Sequence, residues 1–174
     1  MMRPLCSDMS RMQQLAWTSV LCAVAMALGW VESLIPLPIP IPGVKLGFAN
    51  IAVLVALCTV GVRWAVAVAC VKVLATSVLF GSLSMLAYSL SGTALALLVM
   101  VICLRFGAGV VPASILAAMA HNVGQMAAAV ALLSTPAILS LLPVLMVTAC
   151  VTGALTGLLA KAGLQGLQAF LQAA

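Results

Sequence analysis

Charge is what this sequence of 174 residues lacks most. Seven basic and two acidic residues make up 5% of it, against about 25% charged residues in soluble domains. So few ionisable groups cannot clothe a water-facing surface. The seven basic residues are single and scattered, with no run and no interleaved aromatics, which excludes a surface that tracks nucleic-acid phosphates despite the net charge of +5. No GxxxxGK[ST] loop is present, so the chain holds no nucleotide by that device. There is no CxxC and no histidine near any cysteine to complete a zinc site. Cys6, Cys22, Cys58, Cys70, Cys103 and Cys150 read as small buried hydrophobes, and no metal or cofactor is expected.

Apolar residues are what the chain has, at 66% of its length and a mean hydropathy of +1.37. A lipid-spanning helix needs about 20 of them, so the expectation is an all-α, polytopic membrane protein. Breaks at proline, glycine and charge divide it into about six segments, near 12–33, 48–62, 64–80, 84–104, 112–133 and 139–160. The second is short, and is expected to be tilted or broken. The run from Leu15 to Val31 exceeds the core of a secretory signal, so the first segment reads as a retained span despite the faint cleavage-like Ala25-Met-Ala27.

Arg3, Arg11, Arg63, Arg105 and Lys161 all fall at one set of segment ends. By the positive-inside rule that side is cytoplasmic, together with both termini. Residues 1–11 form a cytoplasmic tail, 12–160 the membrane domain, and 161–174 a second tail. In that second tail Leu164, Leu167, Phe170 and Leu171 alternate with Gln165, Gln168 and Gln172, as in a modest amphipathic helix on the membrane face or a frayed end. On the outer side, Pro36, Pro38, Pro40 and Pro42 favour a stiff extended segment, which is acceptable only outside the hydrocarbon or lining a cavity. It reads as a cap or mouth.

Small residues recur every four positions in Ala23-x-x-x-Ala27 and in Ala149-x-x-x-Gly153-x-x-x-Gly157, with alanines frequent from Ala113 to Ala131. Such spacing lets helix backbones approach closely, either within the bundle or against a partner helix.

Three polar islands interrupt the apolar sequence. Lys72 lies mid-way along the third segment, where a lysine costs about 2.5–3.5 kcal/mol on insertion scales. It is expected to face the interior, with snorkelling to an interface as the alternative. The only acids are Asp8 and Glu32, so an anionic ligand is its expected counter-charge. The second island is Ala120-His-Asn-Val-Gly-Gln125. A single histidine in such a helix reads as a satisfied structural group, but His121, Asn122 and Gln125 within five residues favour contact with a ligand. In the third, Lys45 precedes the helix that carries Asn50. A helix N-terminus beside a lysine attracts anions, although an interfacial lysine that anchors a helix end fits as well. Tyr88, Ser89 and Ser91 offer a weaker set of hydroxyls.

The motifs Pro42-Gly-Val-Lys-Leu-Gly-Phe-Ala-Asn-Ile51, Phe80-Gly81, Tyr88-Ser89, Ala120-His-Asn-Val-Gly-Gln125 and Val151-Thr-Gly-Ala-Leu-Thr-Gly157 resemble those of the Gx transporter family. Its members often carry the label heptaprenyl diphosphate synthase component I, and the likeness covers roughly residues 12–160. That family is similar to the S components of energy-coupling factor transporters. The resemblance therefore implies a six-helix bundle in a bacterial cytoplasmic (inner) membrane that binds a vitamin or cofactor precursor near its outer side. It also implies a coupling membrane protein and ATPase subunits as partners, with Ala23 and Ala27 on the docking face. One departure is Lys72, where the family pattern leads us to expect arginine, so a two-pronged anion contact becomes a point charge.

The component I label raises the alternative of a non-catalytic accessory to a prenyltransferase. Catalysis by the chain itself is not expected. Prenyl elongation holds magnesium against diphosphate with aspartate-rich motifs, whereas Asp8 and Glu32 stand far apart. The expected site is therefore Lys45, Asn50, Lys72, His121, Asn122 and Gln125 around one cavity that opens away from the cytosol. Lysines would supply charge, the amides hydrogen bonds, and His121 a bond whose sense depends on protonation.

Overall fold

A computed structural model describes residues 5–6, 9–34, 47–80 and 83–173. Its elements are α1 (Arg11–Leu34), α2 (Phe48–Thr59), α3 (Val62–Phe80), α4 (Leu83–Arg105), α5 (Val110–Leu133), a 3-10 turn (Pro136–Leu141) and α6 (Leu142–Ala173). Among the described residues every regular element is a helix. Five helical stretches among the described residues are long and apolar enough to cross a membrane, and α2 is a shorter apolar helix. The protein is all-α and polytopic. The proline stretch and Lys45 lie outside the described residues.

Local chemistry explains the helix ends. Ser10 opens α1 with a reciprocal cap: its amide donates to Gln13 Oε1 (2.9 Å) and its hydroxyl accepts from the Gln13 amide (3.3 Å). This is the S-x-x-Q capping box, which satisfies two orphan donors of the first turn. At the far end of the chain, α6 does not stop near residue 160. It runs through Lys161 to Ala173, because a single lysine among alanines, leucines and glutamines is no helix breaker. Ala160 and Leu164 are buried against the bundle, whereas Phe170 is 69% exposed. The last turns thus extend beyond the packed body.

At the centre lies α2. Its 12 residues rise about 18 Å, short of a hydrocarbon core of about 30 Å. It is apolar on every side, which marks a helix surrounded by others, and α1, α3 and α6 pack around it. The N-terminal segment covers its lower end. The amides of Leu5 and Cys6 donate to the carbonyls of Cys58 and Thr59 (3.0 and 2.8 Å), so two acceptors freed by the end of the helix are satisfied. Trp17 Nε1 donates to Thr59 Oγ1 (3.2 Å) and Trp64 Nε1 to Gln14 Oε1 (2.9 Å), which ties α1 and α3 to the same corner.

Cys6 is 5% exposed in that corner, and burial pushes its thiol pKa above the ordinary value. The thiolate is the reactive form. Both effects oppose modification, so at neutral pH Cys6 is expected to react with iodoacetamide more slowly in the folded protein than in the unfolded chain. Cleavage and mass mapping of labelled and unfolded samples measures this. Equal rates in the two samples would show that the segment does not cover α2.

The tightest pairings are α4 with α5 and α5 with α6. Glycines make the second possible: a Cβ on Gly153 would lie 2.7 Å from Ile115 Cα, and one on Gly157 2.9 Å from Val111 Cα. Ser114 Oγ and Thr156 Oγ1 share a buried hydrogen bond of 3.0 Å across the same seam. The small-residue stripe of α6 therefore serves internal packing. That of α1 is different, since Ala23 and Ala27 are exposed.

Candidate functional site

The polar islands fall into two groups, the first joined by hydrogen bonds and the second gathered on one face of α5. In the first, Lys72 of α3 is 8% exposed, and its Nζ donates to Asn50 Oδ1 on α2. The Asn50 backbone N–H donates to the Gly47 carbonyl (2.8 Å), and the Gly47 backbone N–H donates to Glu32 Oε1 on α1 (2.5 Å). Glu32 is also 8% exposed. Gly47, at φ 80, caps α2 in a left-handed conformation that side chains other than those of Gly, Asn or Asp rarely adopt. Close helix approach makes the cluster possible: a Cβ on Gly29 of α1 would lie 3.3 Å from Thr76 Cγ2 of α3.

Both chemical types needed to grip a charged solute are thus present at one corner. Lys72 offers an ammonium and Glu32 a carboxylate, with the Asn50 amide between them. A buried charge without such partners costs several kcal/mol, so the chain Glu32, Gly47, Asn50, Lys72 is what makes this lysine tolerable at membrane depth. Glu32 is the residue that the sequence reading did not assign to the site. Its signal was there, as one of two acids in the chain and the one at the end of a membrane helix.

The second group lies on α5. His121 and Gln125 share one face and close over Gly92 of α4, where a Cβ would sit 2.7 Å from Gln125 Cγ and 2.9 Å from the His121 carbonyl oxygen. Ser91 Oγ donates to the Gly124 carbonyl (3.0 Å). Asn122, about 100° round the helix from His121, is aimed at α6 and donates to the Leu145 carbonyl (2.8 Å). Its amide therefore braces α5 against α6. Tyr88 enters through its carbonyl, which accepts from Ser91 Oγ (3.0 Å).

Asn50 and Lys72 are brought together, and His121 and Gln125 are brought together. Lys45 lies outside the described residues. A hollow of about 390 Å³ opens between α3 and α4, but its lining is almost wholly apolar and includes none of the expected site residues. The buried Thr93 hydroxyl, on that same stretch of α4, has no hydrogen-bond partner among the described residues. Nor do three or more His, Cys, Asp or Glu side chains gather among the described residues in a group able to hold a metal ion.

The model of the family described as heptaprenyl diphosphate synthase component I matches residues 21–163. No curated protein and no solved structure matches the chain. The matched region runs from the middle of α1 into α6 and includes both polar groups. This multi-pass, all-α membrane protein belongs to the heptaprenyl diphosphate synthase component I family.

Proposed function

We propose that the protein is a substrate-binding membrane subunit for uptake of a small organic solute, a vitamin or cofactor precursor with an anionic group. The observation that carries this reading is the buried Lys72 ammonium, joined through Asn50 and Gly47 to Glu32 at one corner of an apolar bundle. An ionisable group kept at that depth is a functional group by default. Lys72 supplies the positive charge, Asn50 orients it, and Lys45 lies a few residues before the α2 N-terminus in the sequence. On this reading His121 and Gln125 offer a second set of polar groups to the solute, with Asn122 holding α5 in place.

On this reading the chain performs no catalysis of its own. It resides in a bacterial cytoplasmic membrane with both termini inside. A coupling membrane protein docks on the exposed Ala23 and Ala27 of α1, and separate ATPases supply energy. The resemblance to energy-coupling factor S components supports these assignments, as does the absence of a nucleotide-binding loop from the sequence.

The family description favours a second reading, a non-catalytic membrane accessory of heptaprenyl diphosphate synthase. Affinity purification from gently solubilised membranes separates the two. Recovery of a coupling protein with ATPases is the expected result. Recovery of a soluble prenyltransferase in stoichiometric amount overturns the uptake reading in favour of the accessory one.

A further inference from the structure

The hollow between α3 and α4 has a shape, a chemistry and a charged end that the solute site does not use. It runs from Val62 to Val73 along α3 and from Val101 back to Leu90 along α4. Eleven helical steps rise about 16 Å, which matches one leaflet of a hydrocarbon core about 30 Å thick. Small side chains create it: Ala69, Cys70, Thr93 and Ala94 occupy the middle of the seam, where larger residues would close the two helices together. Val66 and Leu98 remain exposed along its banks, so the hollow is open along its side.

Its two ends differ. At one, Arg63 follows Val62 directly and Arg105 stands one turn beyond Val101, both exposed. At the other, Lys72 is turned toward Asn50 on α2, and no charged side chain lines the hollow there among the described residues. An apolar slot as long as one leaflet, with exposed Arg63 and Arg105 just past the residues that line one end, suits a molecule with a long apolar tail and an anionic head.

We propose that this slot is a binding site for an anionic phospholipid, with an acyl chain between α3 and α4 and its phosphate between Arg63 and Arg105. Guanidinium groups pair with phosphate oxygens in a fork geometry, and basic pockets between membrane helices select anionic headgroups. Two arginines favour an anionic over a neutral lipid by roughly 5- to 30-fold. A hydrophilic solute gains nothing from the slot, because no charged side chain lines it. The bound lipid would fill the seam where α3 meets α4.

The test uses the full chain in vesicles of phosphatidylcholine doped with phosphatidylglycerol, followed by native mass spectrometry. The expected result is one phosphatidylglycerol retained per chain, in preference to phosphatidylcholine. The exposed double substitution Arg63→Gln with Arg105→Gln abolishes that preference while leaving the helical circular dichroism intact, and Ala94→Trp, which fills the slot, removes retained lipid of either headgroup. Equal retention of the two lipids overturns the proposal, as does a preference that survives both variants. Displacement of the lipid by an added prenyl diphosphate at equal concentration overturns the assignment to a membrane lipid.

Discussion

Gly153→Leu is expected to abolish the monodisperse, folded protein in mild detergent, whereas Gly163→Ala is expected to leave it intact or raise its melting temperature. The two positions sit ten residues apart on one helix, and their surroundings are opposite. A Cβ on Gly153 would fall 2.7 Å from Ile115 Cα and 3.1 Å from the Ser114 carbonyl oxygen, while nothing lies within 4 Å of one on Gly163. Backbone atoms cannot swing aside as a side-chain tip can, so α5 and α6 must separate. Overpacking alone costs about 1–3 kcal/mol. Separation also breaks the Ser114–Thr156 hydrogen bond; Thr156 keeps the Thr152 carbonyl on its own helix, but the loss of the Ser114 partner costs about 1 kcal/mol more. At Gly163 the only effect is helix propensity, where alanine gains up to about 1 kcal/mol. Thermal unfolding followed by size-exclusion chromatography reads both. A Gly153→Leu protein as stable as the wild type would mean that α5 and α6 do not approach as described.

Lys72→Met is expected to weaken binding of an anionic solute by about 10- to 150-fold, the worth of one charged hydrogen bond of about 1.5–3 kcal/mol. Membrane insertion should remain unchanged, because methionine matches the lysine stem in length and is cheaper to insert at that depth, while the loss of the partner of Asn50 Oδ1 is expected to lower stability by about 1–3 kcal/mol. Lys72→Arg keeps the cation and is expected to bind within a few-fold of the wild type. Together the two variants separate charge from shape. Loss of binding in both would assign the effect to packing around Asn50 and not to the ammonium group. The second partner has its own signature: Glu32→Gln keeps an acceptor for the Gly47 amide but removes the negative charge.

Much of this architecture was legible in the sequence for identifiable reasons. Helices α1, α3, α4 and α5 start and stop where a charge, a glycine or a proline interrupts an apolar run, and those are the places where a membrane helix must end. The short α2 was visible for the same reason. The end of α6 was not, because Lys161 was read as a boundary, although a lone lysine costs a helix nothing once the chain has left the hydrocarbon. The direction of Asn122 was also hidden. Spacing on one helix shows which residues share a face, as His121 and Gln125 do, but only the neighbouring helix decides that Asn122 meets the Leu145 carbonyl. Nothing in the sequence connects Glu32 with Lys72, which lies on a different helix. Its connection runs through the Gly47 amide, a backbone group that no residue pattern reveals.

The α3–α4 hollow was illegible for a different reason. It is made by what Ala69, Cys70, Thr93 and Ala94 fail to fill, and small residues at a seam look the same in sequence whether the helices close on them or stand apart.

The corner built by Glu32, Asn50 and Lys72 is the point on which the functional account turns, and a native mass spectrum of the purified, solubilised protein tests it most directly. The account predicts one small organic anion retained per wild-type chain, retained equally by Gly163→Ala and lost from Lys72→Met. A retained non-lipid molecule indifferent to Lys72→Met, or a wild-type chain that carries no solute besides membrane lipid after purification from rich medium, would contradict it.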